Sequence, residues 1–350
     1  MEILACDLGS TNFKLKTFTL DNCGTVQATG NEVRIEHAQQ WLNDERPLQA
    51  LEEWLTSVKD RIVDNYGNRV NAMGFSTYRE GLIGLSEDDR IVFAGNNLSP
   101  EPVGDIAAAD RITTLAGWLC WKLTGACAIT AGQRNAGESY VKQVSTFQSP
   151  RWSKIVAAGQ NMQSDTKIPF NVFLDGTDEQ LGYVGTGLLN PDGPELVIAT
   201  GTYWSTSCIA SGPVKDGVRR TNGVSPFRTV DSCVLYRWGH MIEQMDGSAT
   251  RVVNEEVPGR FFGEAAVQWF SQGESVETVR KVAVRDLRAA RLALTESTSI
   301  KAVVYGGGVR SPFARKLITE ANDGIDLKFM ESDATLRGCV IIGKGVIYAD

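Results

Sequence analysis

Two stretches of the chain repeat one order of segments, and this repeat limits the possible folds more than any other feature. Each stretch opens with short apolar runs around a turn that joins glycine to serine or threonine, at residues 7–12 and 199–203. Each then continues into alternating predicted strands and helices. The order is typical of an α/β domain, so we predict two similar α/β domains around a central cleft. The predicted domains are 1–172 and 173–350.

Several of the intervening elements have clear helical periodicity. Apolar side chains recur at three- and four-residue steps within residues 46–64, which predicts an amphipathic helix. A second helix is predicted over residues 105–123, with Gly125 in the position just after the helix end that favours glycine. Further helices are predicted over 274–294, over 312–321 and from residue 334 onward.

Charge and cysteine usage exclude several classes of protein. The net charge of −7 and the pI near 5.1 argue against a nucleic-acid-binding protein or a binder of anionic membranes. No apolar run approaches the ~20 residues of a membrane span. The seven cysteines are scattered, without a C-x-x-C pair, and the first residues do not form an export signal. We therefore expect reduced thiols in a cytoplasmic protein. Whether the protein forms a homodimer is left open by the sequence.

Three glycine-bearing turns that follow predicted strands are candidates for phosphate binding. They are Asp7-Leu8-Gly9-Ser10-Thr11, Thr200-Gly201-Thr202 and Gly306-Gly307-Gly308. Glycine lets the backbone approach a ligand closely, exposed N–H groups point outward, and Ser or Thr hydroxyls add donors. Any one of these turns could simply connect two strands. All three in this order, with an acid ending the first strand, favour a polyphosphate ligand.

Two carboxylates stand beside such turns. Asp7 ends the first strand, and Asp178 follows Gly176 in a Gly-x-Asp segment. Both could be ordinary turn-forming residues. The functional interpretation of Asp178 is a general base, which accepts the proton of a substrate hydroxyl as that oxygen attacks a γ-phosphate.

Taken together, these segments resemble the FGGY carbohydrate kinases of the actin/Hsp70/sugar-kinase superfamily. The segment 7–12 is similar to the family's first phosphate motif, 199–203 to the second, and 303–311 to the adenosine motif. The segment from Gly176-Thr177-Asp178 to residue 187 resembles the one that supplies the catalytic Asp. These similarities occur in the family's order along the chain. The resemblance implies two actin-like (ribonuclease H-like) domains.

The resemblance also implies a role for each site residue. Asp178 would be the base, and Asp7 would hold Mg²⁺, which helps to neutralise the transferring phosphoryl group. The residues implied to contact ATP are Gly9, Ser10, Thr11, Asn12, Thr200, Gly201, Thr202, Gly307 and Gly308.

A single local similarity implies which residues bind the substrate that accepts the phosphoryl group. Arg79 and Glu80 stand where glycerol kinases carry an Arg-Glu pair that binds glycerol hydroxyls. A guanidinium donates and a carboxylate accepts, so the pair could bind vicinal hydroxyls. It could equally be an exposed ion pair at a strand end. Where the family usually has Trp-x-Asp-x-Arg, this chain has residues 94–100, including Asn96 and Asn97.

The sequence therefore predicts an ATP- and Mg²⁺-dependent kinase that phosphorylates a hydroxyl of a small sugar or polyol. Two alternatives stay open. One is an ATPase of the actin/Hsp70 superfamily that is not a kinase. The other is a catalytically inactive relative that binds a sugar or a nucleotide, because the chain is shorter than typical family members around the sugar pocket.

Overall fold

The protein is described here by a computed structural model. Its described residues are 1–347 except 10–11, 22–24, 37–38, 79–80, 96–101, 145–150, 163–167, 189–191, 201–202, 210–218, 222–232, 240–280, 282–283, 286, 290, 293, 295–298, 307–308, 310–311 and 331–332. Within the helices and strands, the description also leaves out the side chains of residues 12, 36, 39–40, 135–136, 139, 143–144, 179, 203–205, 209, 219–221, 233–239, 313 and 344–347.

The chain divides into two compact units. The first combines Met1–Leu181 with Thr335–Asp350, and the second is Gly182–Ala334. The sequence division into domains of 1–172 and 173–350 stays a prediction.

A mixed sheet forms the centre of the first unit. Its described strands are β1 (Glu2–Leu8), β2 (Asn12–Leu20), β3 (Val26–Ala28), β4 (Val33–Glu36), β5 (Ala72–Thr77), β12 (Gln160–Asn161) and β13 (Asn171–Thr177). Their order is β12-β13-β5-β1-β2-β3, with β4 also paired to β2. Strands β1, β5 and β13 run parallel to one another, while β2 is antiparallel to β1. The run predicted over residues 25–35 is thus two short strands that both pair with β2.

Two smaller sheets contain the other described strands of this unit. One comprises β6 (Leu82–Leu85), β7 (Ile91–Ala94), β8 (Val103–Gly104) and β9 (Arg111–Thr114), and the other pairs β10 (Ala128–Thr130) with β11 (Lys154–Val156).

The helices of the first unit cover the central sheet. They are α1 (Pro47–Tyr66), α2 (Leu115–Thr124), α3 (Ala131–Val144), the first turn of α4 (Asp178–Thr186) and α6 (Ala334–Ile347). In α1, proline stands at the first position, where no N–H is needed, and the buried residues Leu51, Leu55, Val58 and Ile62 face the core as predicted. The end of α2 at Gly125, in the left-handed conformation, is also confirmed.

The start of α2 differs from the prediction. Residues 111–114 are a strand paired with β6, and the helix begins only at Leu115. Thr114 ends the strand and caps the helix, because its Oγ1 accepts the Gly117 N–H. The predicted helix over 105–123 was therefore too long at its N-terminal end.

The second unit is also built on a mixed sheet. Its described strands are β14 (Leu196–Thr200), β15 (Tyr203–Ile209), β16 (Arg219–Thr221), β17 (Cys233–Gly239), β18 (Lys301–Tyr305) and β19 (Asp326–Phe329). Their order is β16-β17-β15-β14-β18-β19. Helix α5 (Pro312–Ala321) lies between β18 and β19, and helical residues occur from 281 to 294.

The two sheets share one connection pattern. In each, three strands pair antiparallel, and two later strands add in parallel beside the first of them: β3-β2-β1-β5-β13 and β17-β15-β14-β18-β19. This repeat confirms the predicted pair of similar α/β domains. In the described part of the chain, no helix combines the length and apolar character that a membrane crossing needs.

Candidate active site

The parallel strands of the first unit end in register at one edge of the sheet. Thr177 of β13 lies opposite Thr77 of β5, and Thr77 lies opposite Leu8 of β1. Neighbouring strands are ~4.8 Å apart, so Leu8 and Thr177 are separated by about 10 Å. The structure thus brings Gly9, which follows β1, and Asp178, which follows β13, to the same edge. Ligands of open α/β sheets bind at this carboxyl end of the strands.

Asp7 is held by a hydroxyl and an ammonium group. Its carboxylate is buried, Oδ1 accepts a hydrogen bond from Ser76 Oγ at 2.7 Å, and Oδ2 faces Lys14 Nζ at 3.1 Å. Register explains both contacts, since Asp7 pairs with Ser76 of β5 on one side and with Lys14 of β2 on the other. A buried carboxylate needs such partners to remain charged.

Asp178 is the first residue of α4 and lies in a capping box. Gln180 N donates to Thr177 Oγ1 at 3.4 Å, and Thr177 N donates to Gln180 Oε1 at 3.3 Å. This reciprocal pair satisfies helix N–H groups and fixes the direction in which α4 leaves β13. The half-buried Asp178 is therefore at a helix N-terminus, where a negative charge is favoured.

The strand that leads to Asp178 contains a bulge at Asp175. The pairing of β13 with β5 shifts between Leu174 and Gly176, so Asp175 is the extra residue. Its side chain is fully buried, and a Cβ on Gly74 would lie 2.4 Å from its Oδ2. Among the described residues no N–H or O–H group donates to the carboxylate; the polar group that faces it is the Cys339 thiol.

Burial sets the protonation of this cluster. It raises the pKa of Asp175 well above its usual value, and the hydrogen bond from Cys339 lowers it only in part. Burial also raises the pKa of the Cys339 and Cys6 thiols, and the nearby carboxylates Asp175 and Asp7 raise it further. These thiols therefore stay protonated and unreactive, as expected for core cysteines.

The raised pKa of Asp175 predicts that the free energy of unfolding falls as pH rises. The folded state holds this proton more tightly than the unfolded chain, so its contribution is full below the unfolded pKa of about 3.9 and is lost as pH rises through the folded pKa. The loss is about 1.4 kcal/mol per pH unit in that window. Asp175→Asn cannot ionise, so we expect its free energy of unfolding, relative to wild type, to increase with pH.

Urea denaturation at several pH values from 5 to 8 measures this difference. Asp323→Asn, at an exposed position, is the matched control and should follow the wild-type pH profile. Parallel profiles for wild type and Asp175→Asn would contradict the assignment of a buried, neutral carboxyl.

In the second unit, Thr200 ties the ends of two parallel strands together. Its Oγ1 donates to the Tyr305 carbonyl at 2.7 Å, and its side chain is buried. Gly306 follows with φ +105°, and a Cβ there would lie 2.8 Å from the Thr200 carbonyl carbon. Only glycine fits this approach. The hydroxyl proton of Thr200 thus serves this junction, and its contact with phosphate stays a prediction.

Most of the other predicted site residues lie outside the described residues, so their roles stay predictions. They are Ser10, Thr11, the side chain of Asn12, Arg79, Glu80, Gly201, Thr202, Gly307 and Gly308.

Among the polar residues that the structure places beside the predicted ones, the sequence analysis missed Ser76, Lys14, Asp175 and Gln180. A local signal existed only for Gln180, since Thr177-x-x-Gln180 has the spacing of a capping box. The others depend on strand pairing, which no local pattern reveals.

The residues at Asp7 fit a magnesium ion that is shared with a substrate. Mg²⁺ prefers oxygen ligands and is commonly held by one or two carboxylates together with substrate phosphates and water. Asp7 offers a fixed carboxylate at the strand end, while the part of the chain that the structure describes contains no group of three Asp, Glu, His or Cys side chains able to hold a metal alone.

Comparison with known proteins identifies the fold. No protein-family profile and no curated protein sequence matches the chain. Among solved structures, a xylulose kinase from Lactobacillus acidophilus matches with a TM-score of 0.62 at 11% identity, and a gluconate kinase from the same organism with 0.63 at 12%. Glycerol kinase from Plasmodium falciparum, solved with ADP, matches with 0.63 at 9%. Each match covers 100% of this chain and 90% of the other. The chain has the two-domain, actin-like α/β fold of these sugar kinases.

Proposed function

We propose that this chain is an FGGY-type carbohydrate kinase that transfers the γ-phosphoryl group of ATP to a hydroxyl of a small sugar or polyol. One observation carries the proposal: the parallel strands of the first unit place Asp7, Gly9 and Asp178 at one edge, with the strand ends about 10 Å apart. The similar structures support the substrate class, since they are kinases of xylulose, gluconate and glycerol, all small polyhydroxylated molecules.

Asp178 is the general base of the proposed reaction. Its carboxylate accepts the proton of the acceptor hydroxyl while that oxygen forms a bond to the γ-phosphorus. The bond from the γ-phosphorus to the bridging β,γ-oxygen breaks, and ADP leaves with those electrons. The products are a phosphate monoester and ADP. The position at the helix N-terminus suits this role, because it favours the ionised carboxylate.

The phosphates of ATP are assigned to glycine turns. Backbone N–H groups and hydroxyls of Gly9 to Asn12 bind them. Backbone N–H groups of Thr200 to Thr202 and the Thr202 hydroxyl bind them as well, while Gly307 and Gly308 pack beside adenosine. Asp7 is the residue that would hold Mg²⁺, and Ser76 and Lys14 keep its carboxylate in place. When bound, the ion would neutralise charge on the phosphates.

The acceptor hydroxyls are assigned to Arg79 and Glu80. These residues follow Tyr78 directly after β5, the strand between β1 and β13. An acceptor bound there would lie at the end of β5, between the ends of β1 and β13. Gly9 follows β1 and Asp178 follows β13, so the acceptor hydroxyl would be close to the base.

A screen for ADP release tests the proposal. The purified chain is incubated with Mg-ATP and, one at a time, glycerol, tetritols, pentitols, ketopentoses, deoxy-sugars and gluconate. We expect one class to raise ADP release above the rate without acceptor, with one phosphate ester formed per ADP by mass spectrometry.

The alternatives give different results. ATP turnover that no acceptor changes would indicate an ATPase that is not a kinase. Binding of a sugar or of ADP in calorimetry, without formation of a phosphate ester from any acceptor, would indicate an inactive binding protein. Either result overturns the proposed function.

A further inference from the structure

The turn that carries Asp178 is held on its strand side by Gln133. Gln133 Nε2 donates to the Gly176 carbonyl at 3.1 Å, and the Gln133 side chain is 1% exposed. Gly176 is two residues before Asp178 and directly follows the bulge. A buried hydrogen bond to this carbonyl therefore fixes the backbone where the strand becomes a helix.

Gln133 is itself fixed by a second capping box. Gln133 N donates to Thr130 Oγ1 at 3.3 Å, and Thr130 N donates to Gln133 Oε1 at 3.2 Å. Helix α3 thus starts with the same Thr-x-x-Gln pattern as α4. The two helix starts face each other, because a Cβ on Gly132 would lie 2.6 Å from the Gln180 side chain. The contacts with Thr130 therefore fix the orientation of the Gln133 side chain independently of its bond to Gly176.

Thr335 holds the same turn on its helix side. Thr335 Oγ1, on the first turn of α6, donates to the backbone carbonyl of Asp178 at 3.1 Å. Thr335 is 6% exposed and 157 residues away from Asp178 in the sequence. Since the bond is made to the Asp178 main chain, it restrains the direction of the Cα–Cβ bond.

We propose that Gln133 and Thr335 are positioning residues that hold the β13–α4 turn and so aim the Asp178 carboxylate. This inference rests on the proposed function of Asp178 as a base. A base must lie within hydrogen-bond reach of the proton that it removes, and a displacement of about 1 Å can cost 10²-fold in rate. Neither side chain contacts the acceptor or ATP in this proposal.

Thr335→Val removes the hydroxyl at nearly constant volume and is the principal test. We expect kcat to fall about tenfold, with the KM for ATP and for the acceptor unchanged. Thr335→Ser restores the hydroxyl and should restore kcat. In an Asp178→Asn background, Thr335→Val should cause no further loss, because there is no base left to aim. Unchanged kcat in Thr335→Val, or the same tenfold loss in both backgrounds, would overturn the proposal.

Hydrogen exchange of the free protein tests whether Gln133 and Thr335 hold the β13–α4 turn, and it does so without any catalysis. Amides of residues 176–182 should exchange faster in Thr335→Val and in Gln133→Leu than in wild type, while those of β14 should not change. If wild type phosphorylates no acceptor, the proposed function fails, and the exchange result alone decides whether these residues hold the turn. Unchanged exchange at 176–182 would overturn the proposal that these residues hold the turn, whatever the activity.

Discussion

Asp178→Asn is expected to lose phosphoryl transfer by about 10³-fold in kcat while it binds ADP as well as wild type does. The amide has nearly the shape of the carboxylate and can occupy the same place at the start of α4. It cannot accept the acceptor proton, however, so the attacking oxygen is no more nucleophilic than in a simple alcohol. The backbone bonds that hold this turn, from Gln133 and Thr335, do not involve the Asp178 carboxylate and should persist.

The measurement is a steady-state assay with the acceptor that the screen identifies, together with ADP calorimetry and a thermal melt. Asp323→Asn provides the matched control, since it removes an exposed carboxylate from the second unit. Wild-type kcat in Asp178→Asn would remove the base assignment. Loss of ADP binding together with kcat would instead assign Asp178 to nucleotide binding.

Much of the fold was readable from the sequence because its signals are local. The apolar period of α1 and the glycine after α2 each lie within one element, and both predictions are confirmed. Helices α3 and α4 were missed, since both contain glycines such as Gly132 and Gly182, which lower helix propensity. Their starts are marked only by Thr-x-x-Gln, a pattern that many loops also contain.

The candidate site was readable only in part, for a related reason. Asp7 and Asp178 stand next to glycine turns, so each was visible as a local motif. Their common edge depends on the parallel pairing of β1, β5 and β13, which joins segments far apart in the chain. Thr335 illustrates the limit, because its contact with Asp178 arises only when α6 packs against α4.

That packing leads to the second large effect, expected for Gly338→Ala. A Cβ at Gly338 in α6 would lie 2.0 Å from the Leu181 carbonyl oxygen and 2.7 Å from its carbon. Both atoms belong to the backbone of α4, so no side-chain rotation can relieve the clash, and α4 and α6 must move apart. We expect the free energy of unfolding to fall by about 2–3 kcal/mol.

Activity should fall with stability, because α4 begins at Asp178. A shift of that helix by about 1 Å would cost roughly 10²-fold in kcat. The loss should exceed that of Thr335→Val, since the whole first turn of α4 moves and not one hydrogen bond alone. Kinetics at a temperature well below the melting transition separate misplacement from unfolding.

Gly343→Ala is the matched control in the same helix. A Cβ there would meet the Phe173 ring at 3.5 Å, an ordinary van der Waals distance. Alanine favours helix by up to about 1 kcal/mol over glycine, so this variant should be as stable as wild type or more so, with full activity. Urea denaturation of both variants measures the contrast. If Gly338→Ala and Gly343→Ala proved equally stable, the close contact of α6 with Leu181 would not exist, and α6 could not hold Asp178 in place through Thr335.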